Sequence, residues 1–225
     1  MGIRDFINSK LNTIKKGDYK YTRYSDGWHV SVLDTTKTSY GPIESEIGGM
    51  PIVSLYRTFE GCKNLTTAPE IPNGVTNMGR TFYGCTSLTT APVIPNSVTD
   101  MHITFSCCTS LTDASKITIP QTVEDISFAF AHCVNLINAP NILNPKNIKF
   151  EPIYYDMELV GYVNAFYNCP SLILTDNQKE YYVYYEHHRS QLKSIADQIL
   201  SGDEKLKTDF TTDTDEKGHN GHDEH

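Results

Sequence analysis

The sequence predicts an α+β repeat solenoid, closed by an N-terminal helix and hairpin cap and by a C-terminal helix cap. Three observations predict it. The frame Phe-x-x-Cys-x-x-Leu occurs five times, at Phe59/Cys62/Leu65, Phe82/Cys85/Leu88, Phe105/Cys108/Leu111, Phe130/Cys133/Leu136 and Phe166/Cys169/Leu172. Successive cysteines are 23, 23, 25 and 36 residues apart, a period at which each repeat buries its apolar side only against its neighbours. The flanks carry helical and hairpin patterns instead of the frame.

At the N-terminus, Ile3, Phe6, Ile7, Leu11 and Ile14 form one apolar stripe, which predicts an amphipathic helix over 3–16, in a segment 1–17 stopped by Gly17-Asp18. Such a helix docks on its own domain, binds a partner or lies on a membrane surface, for which Lys10, Lys15 and Lys16 are thin support. Tyr19, Tyr21 and Tyr24 then precede Ser25-Asp26-Gly27, and Trp28, Val30, Val32 and Leu33 follow. An Asp-Gly turn between such runs predicts a β-hairpin. Together with Ile43–Leu55 it makes 18–55 a β-hairpin cap over the first coil, where an open end would expose core and strand edge.

The solenoid is placed at 56–175. Besides Phe, Cys and Leu, four repeats carry Ala68, Ala91, Ala114 or Ala139, prolines at 72, 95, 120 and 145, and Met78, Met101 or Ile126 four residues before a Phe. These positions are expected to face inward, each large side chain contributing roughly 1.5–3 kcal/mol when buried. Proline cannot donate to a ladder and is expected to end each short strand at a corner. Asn64, Ser87, Ser110, Asn135 and Ser171 precede the Leu and are expected to hydrogen-bond the turning backbone. Five of the six cysteines share one repeat position and read as a reduced, inert packing column, with Cys107 standing where other repeats have Gly61 and Gly84. The interruption at 148–161 is expected to form a loop or hairpin on one face, and its Tyr154 and Tyr155 are candidates for contact with a partner.

Residues 176–202 read as a capping helix. Thr175 to Gln178 fits a capping box, Tyr181, Tyr184, Tyr185, His188, Leu192, Ile195 and Ile199 form a stripe, and Gly202 stops it. That stripe is either core contact or a partner face. Residues 203–225 carry eight acids and three lysines, so five of the eight net negative charges sit there. A disordered acidic tail is expected, its His219, His222 and His225 too loosely held to form more than an adventitious metal site.

With no basic stripe in the body, nucleic acid is excluded as a partner. No apolar run is long enough to span a membrane, so no membrane insertion is expected, and the N-terminus lacks signal-peptide features. The chain is therefore expected to be cytoplasmic at synthesis. No nucleophile elbow, phosphate loop, HExxH or CxxC is present. His187-His188 point apart on a helix, and His102 and His132 are single substitutions on the repeat surface. No catalytic residue, cofactor site or metal site is expected.

The segment Phe82-Tyr83-Gly84-Cys85-Thr86-Ser87-Leu88-Thr89 with Ile94-Pro95-Asn96-Ser97-Val98 resembles the BspA-type leucine-rich repeat family of bacterial, protozoan and phage-encoded proteins. The resemblance spans about 43–147 and 162–173 and implies short leucine-rich-repeat coils. Thr-Thr-Ala-Pro stands where many members have a longer apolar strand, so the resemblance carries the coil but not the strand's length. It implies protein–protein interaction, often adhesion to host or matrix proteins, without catalysis. No functional residue carries over, because the matching motif positions are core.

The function expected is a non-enzymatic interaction scaffold. Its face would be the outward columns Thr66/Thr89/Thr112/Ile137/Ile173 and Thr67/Thr90/Asp113/Asn138/Leu174. The alternative is a structural bacteriophage virion component, in a capsid, tail or fibre, reaching the exterior by lysis and attached through a terminal helix to virion neighbours or to itself. An enzyme is the least favoured reading.

Overall fold

The computed structural model describes residues 12–143 and 165–173, and the backbone of 152–155 and 158–161. The chain begins with β1 (Thr13–Lys16), β2 (Tyr19–Arg23) and β3 (Trp28–Val32), followed by β4 (Glu46–Ile47) and β5 (Met50–Ser54). These form one five-stranded sheet in the order β1-β2-β3-β5-β4, antiparallel except for the β3–β5 pair.

The helix expected over 3–16 does not hold at its C-terminal end. Thr13–Lys16 is an edge strand, with Lys16 opposite Tyr19 and Ile14 opposite Tyr21; residues 1–11 lie outside the described residues. Gly17-Asp18, read as a helix stop, is a two-residue hairpin turn. Gly17 has φ +57°, the left-handed region such turns require. The carboxylate of Asp18 then accepts from the Gly41 N–H at 2.8 Å and from Lys37 Nζ at 2.5 Å. The hairpin after it has its turn at Tyr24–Gly27, with Arg23 opposite Trp28.

Tyr19, Tyr21, Trp28 and Val30 alternate onto the buried face of the sheet, which lies on the first coil. Tyr19 and Tyr40 meet Phe59 edge-on, with ring centroids 6.2 and 5.0 Å away, and Thr58 Oγ1 donates to Val30 O. Strand β5 runs directly into the stack, because Ser54 bridges Asn77, Asn77 bridges Asp100, and Asp100 bridges Asp125, all in parallel. A second column links Thr67 with Thr90, Asp113 with Asn138, and Asn138 with Ile173. Strands in the coils are thus reduced mostly to single bridges. The exception is β6 (Thr118–Ile119) against β7 (Asn141–Ile142), where two adjacent coils each carry two extra residues between the Ala and the second Pro.

The expected α+β class is overturned: among the described residues there is no helix. The coils do not supply one either, as the hydrogen bonds of the segment leading to each Cys show. Thr81, Tyr83 and Cys85 donate three residues back within their own coil, whereas Arg80, Phe82 and Gly84 donate to His102, Thr104 and Ser106 of the next. Past its first turn an α-helix bonds its N–H groups within itself; here alternate ones hold the neighbouring coil. That alternation is made by left-handed residues at two positions per coil. The first is Arg57, Arg80, Ile103 and Phe128; the second is Gly61, Gly84, Cys107, His132 and Asn168. Cys107 therefore does stand in for a glycine, at φ +62°. The C-terminal helix expected over 176–202 lies outside the described residues, and no helical cap is seen among those described.

The core is a set of columns. Phe59, Phe82, Phe105, Phe130 and Phe166 stack ring on ring at centroid spacings of 5.2–5.4 Å. Leu65, Leu88, Leu111, Leu136, Met78, Met101 and Ile126 are buried beside them.

Candidate interaction surface

The sequence-predicted surface residues Thr66, Thr67, Thr89, Thr90, Thr112, Asp113 and Asn138 are all exposed. The second bridge column sets Thr67 beside Thr90 and Asp113 beside Asn138, but the last coil departs from simple counting: Ile173 pairs with Asn138, not with Ile137. Tyr154 and Tyr155 lie in β8 (Pro152–Tyr155), opposite Leu159 and Glu158 of β9 (Glu158–Gly161). Residues 148–161 thus include a hairpin.

Part of the Thr chemistry is already engaged. Thr66 Oγ1 donates to Thr38 O and Thr89 Oγ1 to Thr66 O, each one layer back. Thr76, Thr99, Thr86 and Thr109 do the same elsewhere. A hydroxyl has one proton to give, so these threonines present mainly methyl groups and lone pairs to a partner. Asp113 differs: its carboxylate is held below the usual range by hydrogen bonds from the Ser115 side chain and backbone, and it stays fully solvated.

A second exposed face comes from the turn segments and went unread in the sequence. Tyr56 is 41% exposed. The Arg57 guanidinium lies over its ring at 5.2 Å, and that of Arg80 over Tyr83 at 4.6 Å. Glu60 receives Arg80 through both carboxylate oxygens, at 3.1 and 3.3 Å, which raises the Arg80 pKa. Further along, Tyr167 meets Phe128 and His132 edge-on. The signal that could have found this face is variation at fixed repeat positions: Arg57/Arg80/Ile103/Phe128 five residues before each Cys, and Glu60/Tyr83/Ser106/Ala131/Tyr167 two before it.

The stacked column of thiols offers no nucleophile. Cys62, Cys85, Cys108 and Cys133 are buried, Cys169 is half-buried, and all six cysteines are free. Each from Cys85 on donates S–H to the Phe carbonyl of the preceding coil, at 3.1–3.2 Å. Burial pushes the column's thiols up, Cys169 to about 11 and Cys85, Cys108 and Cys133 further. Cys107, half-exposed, stands outside the column. His102 is brought beside Asp100 and Asp125, a grouping that spans two coils. The Asp100 hydrogen bond raises the His102 pKa.

The family model described as the BspA type leucine-rich repeat region matches residues 55–173 in six copies, one more than the five Phe/Cys/Leu frames. Among solved structures, the chain is similar to a leucine-rich repeat protein of T. pallidum, at 23% identity, with 56% of this chain and 62% of that one covered and a TM-score of 0.46. It is also similar to a leucine-rich repeat protein of Bacteroides ovatus, at 22% identity, with 71% and 45% covered and a TM-score of 0.40. The chain thus spans less than two thirds of the length of either. No curated protein matches it significantly. Among the described residues no helix is long and apolar enough to cross a membrane.

Proposed function

The chain belongs to the BspA-type leucine-rich repeat family, and on that premise we propose that it is a non-enzymatic scaffold that binds a protein partner through the outward columns of its coils, in an adhesion or recognition role. The observation that carries the reading is the register of those columns. Thr67/Thr90 and Asp113/Asn138 are exposed, bridged in parallel and backed by a continuous ring stack. A rigid surface of this kind loses little conformational entropy on binding. Catalysis has no support in the site: the column thiols are buried and protonated, and the exposed threonines are not paired with a base.

The test is binding of the full chain to a panel of immobilised extracellular-matrix and host-surface proteins, compared with a variant carrying Thr67→Arg, Thr90→Arg, Asp113→Arg and Asn138→Arg. Saturable binding to one partner, lost in the variant at an unchanged melting temperature, supports the proposal. Equal binding by the variant removes these columns from it. A virion role has no observation in its favour and is not carried further.

A further inference from the structure

Asp100 and Asp125 face each other in a parallel bridge between adjacent coils. His102, two residues after Asp100, lies beside both. One ligand atom from each of the three lies within 4.8 Å of the others, and all three residues are half-buried. The space for the imidazole is made by Gly79 of the preceding coil: a Cβ there would fall 2.2 Å from His102 Cε1. The ring of Tyr56 lies beyond, with its centroid 5.9 Å from that of the imidazole.

Turn geometry accounts for one oxygen of each carboxylate and no more. Asp100 Oδ1 accepts from the His102 N–H at 2.9 Å and lies 2.7 Å from its Nδ1. Asp125 Oδ1 accepts from the Ser127 N–H at 2.7 Å. The same cap is made in the two preceding layers by Ser54 Oγ and Asn77 Oδ1, which are uncharged. Capping therefore does not require charge at this position. Two like charges set opposite each other in a bridge are unfavourable, and half-burial sharpens the repulsion. The nearby Arg80 guanidinium is bound to Glu60 through both carboxylate oxygens. The His102 imidazole, 2.7 Å from Asp100 Oδ1, can offset at most one of the two negative charges, and an imidazole nitrogen and two carboxylate oxygens converge there, a donor set suited to Zn²⁺, Co²⁺ or Ni²⁺.

We propose that Asp100, His102 and Asp125 form a divalent transition-metal site that ties two adjacent coils together. Three protein donors leave a coordination position for water or for an acidic group of a partner. The site is independent of the Thr columns and does not rest on the function proposed for them.

The experiment uses the full chain with His219→Ala, His222→Ala and His225→Ala, which removes the tail imidazoles as competitors. Zn²⁺ is titrated calorimetrically, and Co²⁺ is followed by its visible ligand-field absorption. One equivalent is expected to bind. His102→Ala and Asp125→Asn are each expected to weaken binding by at least about tenfold, and Zn²⁺ is expected to raise the melting temperature of the parent but not of either variant. His102→Gln replaces His102→Ala if the latter does not melt cooperatively. Absence of saturable binding, or an affinity unchanged in either variant, overturns the proposal and leaves a capped Asp ladder with a histidine paired to Asp100.

Discussion

Replacing Phe82 with alanine tests the ring column at its most enclosed point. Phe82 is fully buried and lies between Phe59 and Phe105, with centroids 5.3 and 5.4 Å away and ring planes within 2° and 5° of parallel. Truncating a buried Phe costs about 3–5 kcal/mol through lost transfer energy and the cavity left behind. Collapse of the site is limited, because the backbone on both sides is pinned: Phe82 N–H donates to Thr104 O, and Phe59 N–H to Thr81 O. The upper half of that range, about 4–5 kcal/mol, is therefore expected. A domain of ordinary stability has about 5–15 kcal/mol to lose, so the variant should fold with little margin. The assay is equilibrium urea unfolding followed by circular dichroism, with slopes and midpoints compared because repeat stacks can depart from two-state behaviour. Val93→Ala is the control: Val93 is 83% exposed, and surface changes stay within about 0.5 kcal/mol. A Phe82→Ala shift no larger than that of Val93→Ala would refute the stacked-ring core.

Three further outcomes are expected. Gly84→Ala meets no atom closer than Gly61 Cα at 4.0 Å, but Gly84 has φ +71°, so it should destabilise by about 1–2 kcal/mol from backbone conformation alone, read by the same urea titration. In the native protein, iodoacetamide should label half-exposed Cys107 first and the buried, protonated Cys85 only on unfolding; peptide mass spectrometry after a short pulse decides, and early labelling of Cys85 would contradict its place in the core. Asp18 has its pKa lowered below 3.8 by the Gly41 N–H and then by Lys37. A depressed carboxylate stabilises the fold above its unfolded pKa and loses that contribution as pH falls through the folded value, so Asp18→Asn should be less stable near neutrality and should converge with the parent on the acid side, as thermal melts across pH would show.

The inward half of the repeat is legible in the sequence because burial leaves no choice of residue. Phe, Cys and Leu at fixed spacing name the columns, and every one of the first four coils buries all three. The turn segments leading to each Cys were not legible, because the pattern of apolar residues does not report where backbone N–H groups go. Arg57, Arg80, Ile103 and Phe128 adopt left-handed φ with side chains that disfavour it, so nothing local announces the turn. At the N-terminus, Ile14 fitted a helical stripe and also a strand, and Gly-Asp between two alternating runs was the better signal. The grouping of Asp100, His102 and Asp125 was hidden for another reason: the 25-residue separation of the two aspartates becomes contact only once the bridge register is known.

The hydroxyl ladders change what a threonine column means. Thr58, Thr81 and Thr104, buried just before their Phe residues, place one hydroxyl donor each at Val30 O, between Leu55 O and Met78 O, and between Met78 O and Met101 O. Exposed Thr66, Thr76, Thr89 and Thr99 and half-buried Thr86 and Thr109 likewise reach one layer back. Threonine inside and outside thus does the same work, supplying extra donors to carbonyls in a fold whose strands have shrunk to single bridges. Recognition then has to come from positions where that duty is relaxed. In the outward columns these include Thr67, Thr90, Asp113 and Asn138; on the turn face they are Tyr56, Arg57 and Tyr83. A partner reading the columns would meet threonines at the first coils, Asp113 and Asn138 further on, and the exposed Ile137 and Ile173 at the later end, so its contacts should be graded along the stack and not repeated coil by coil.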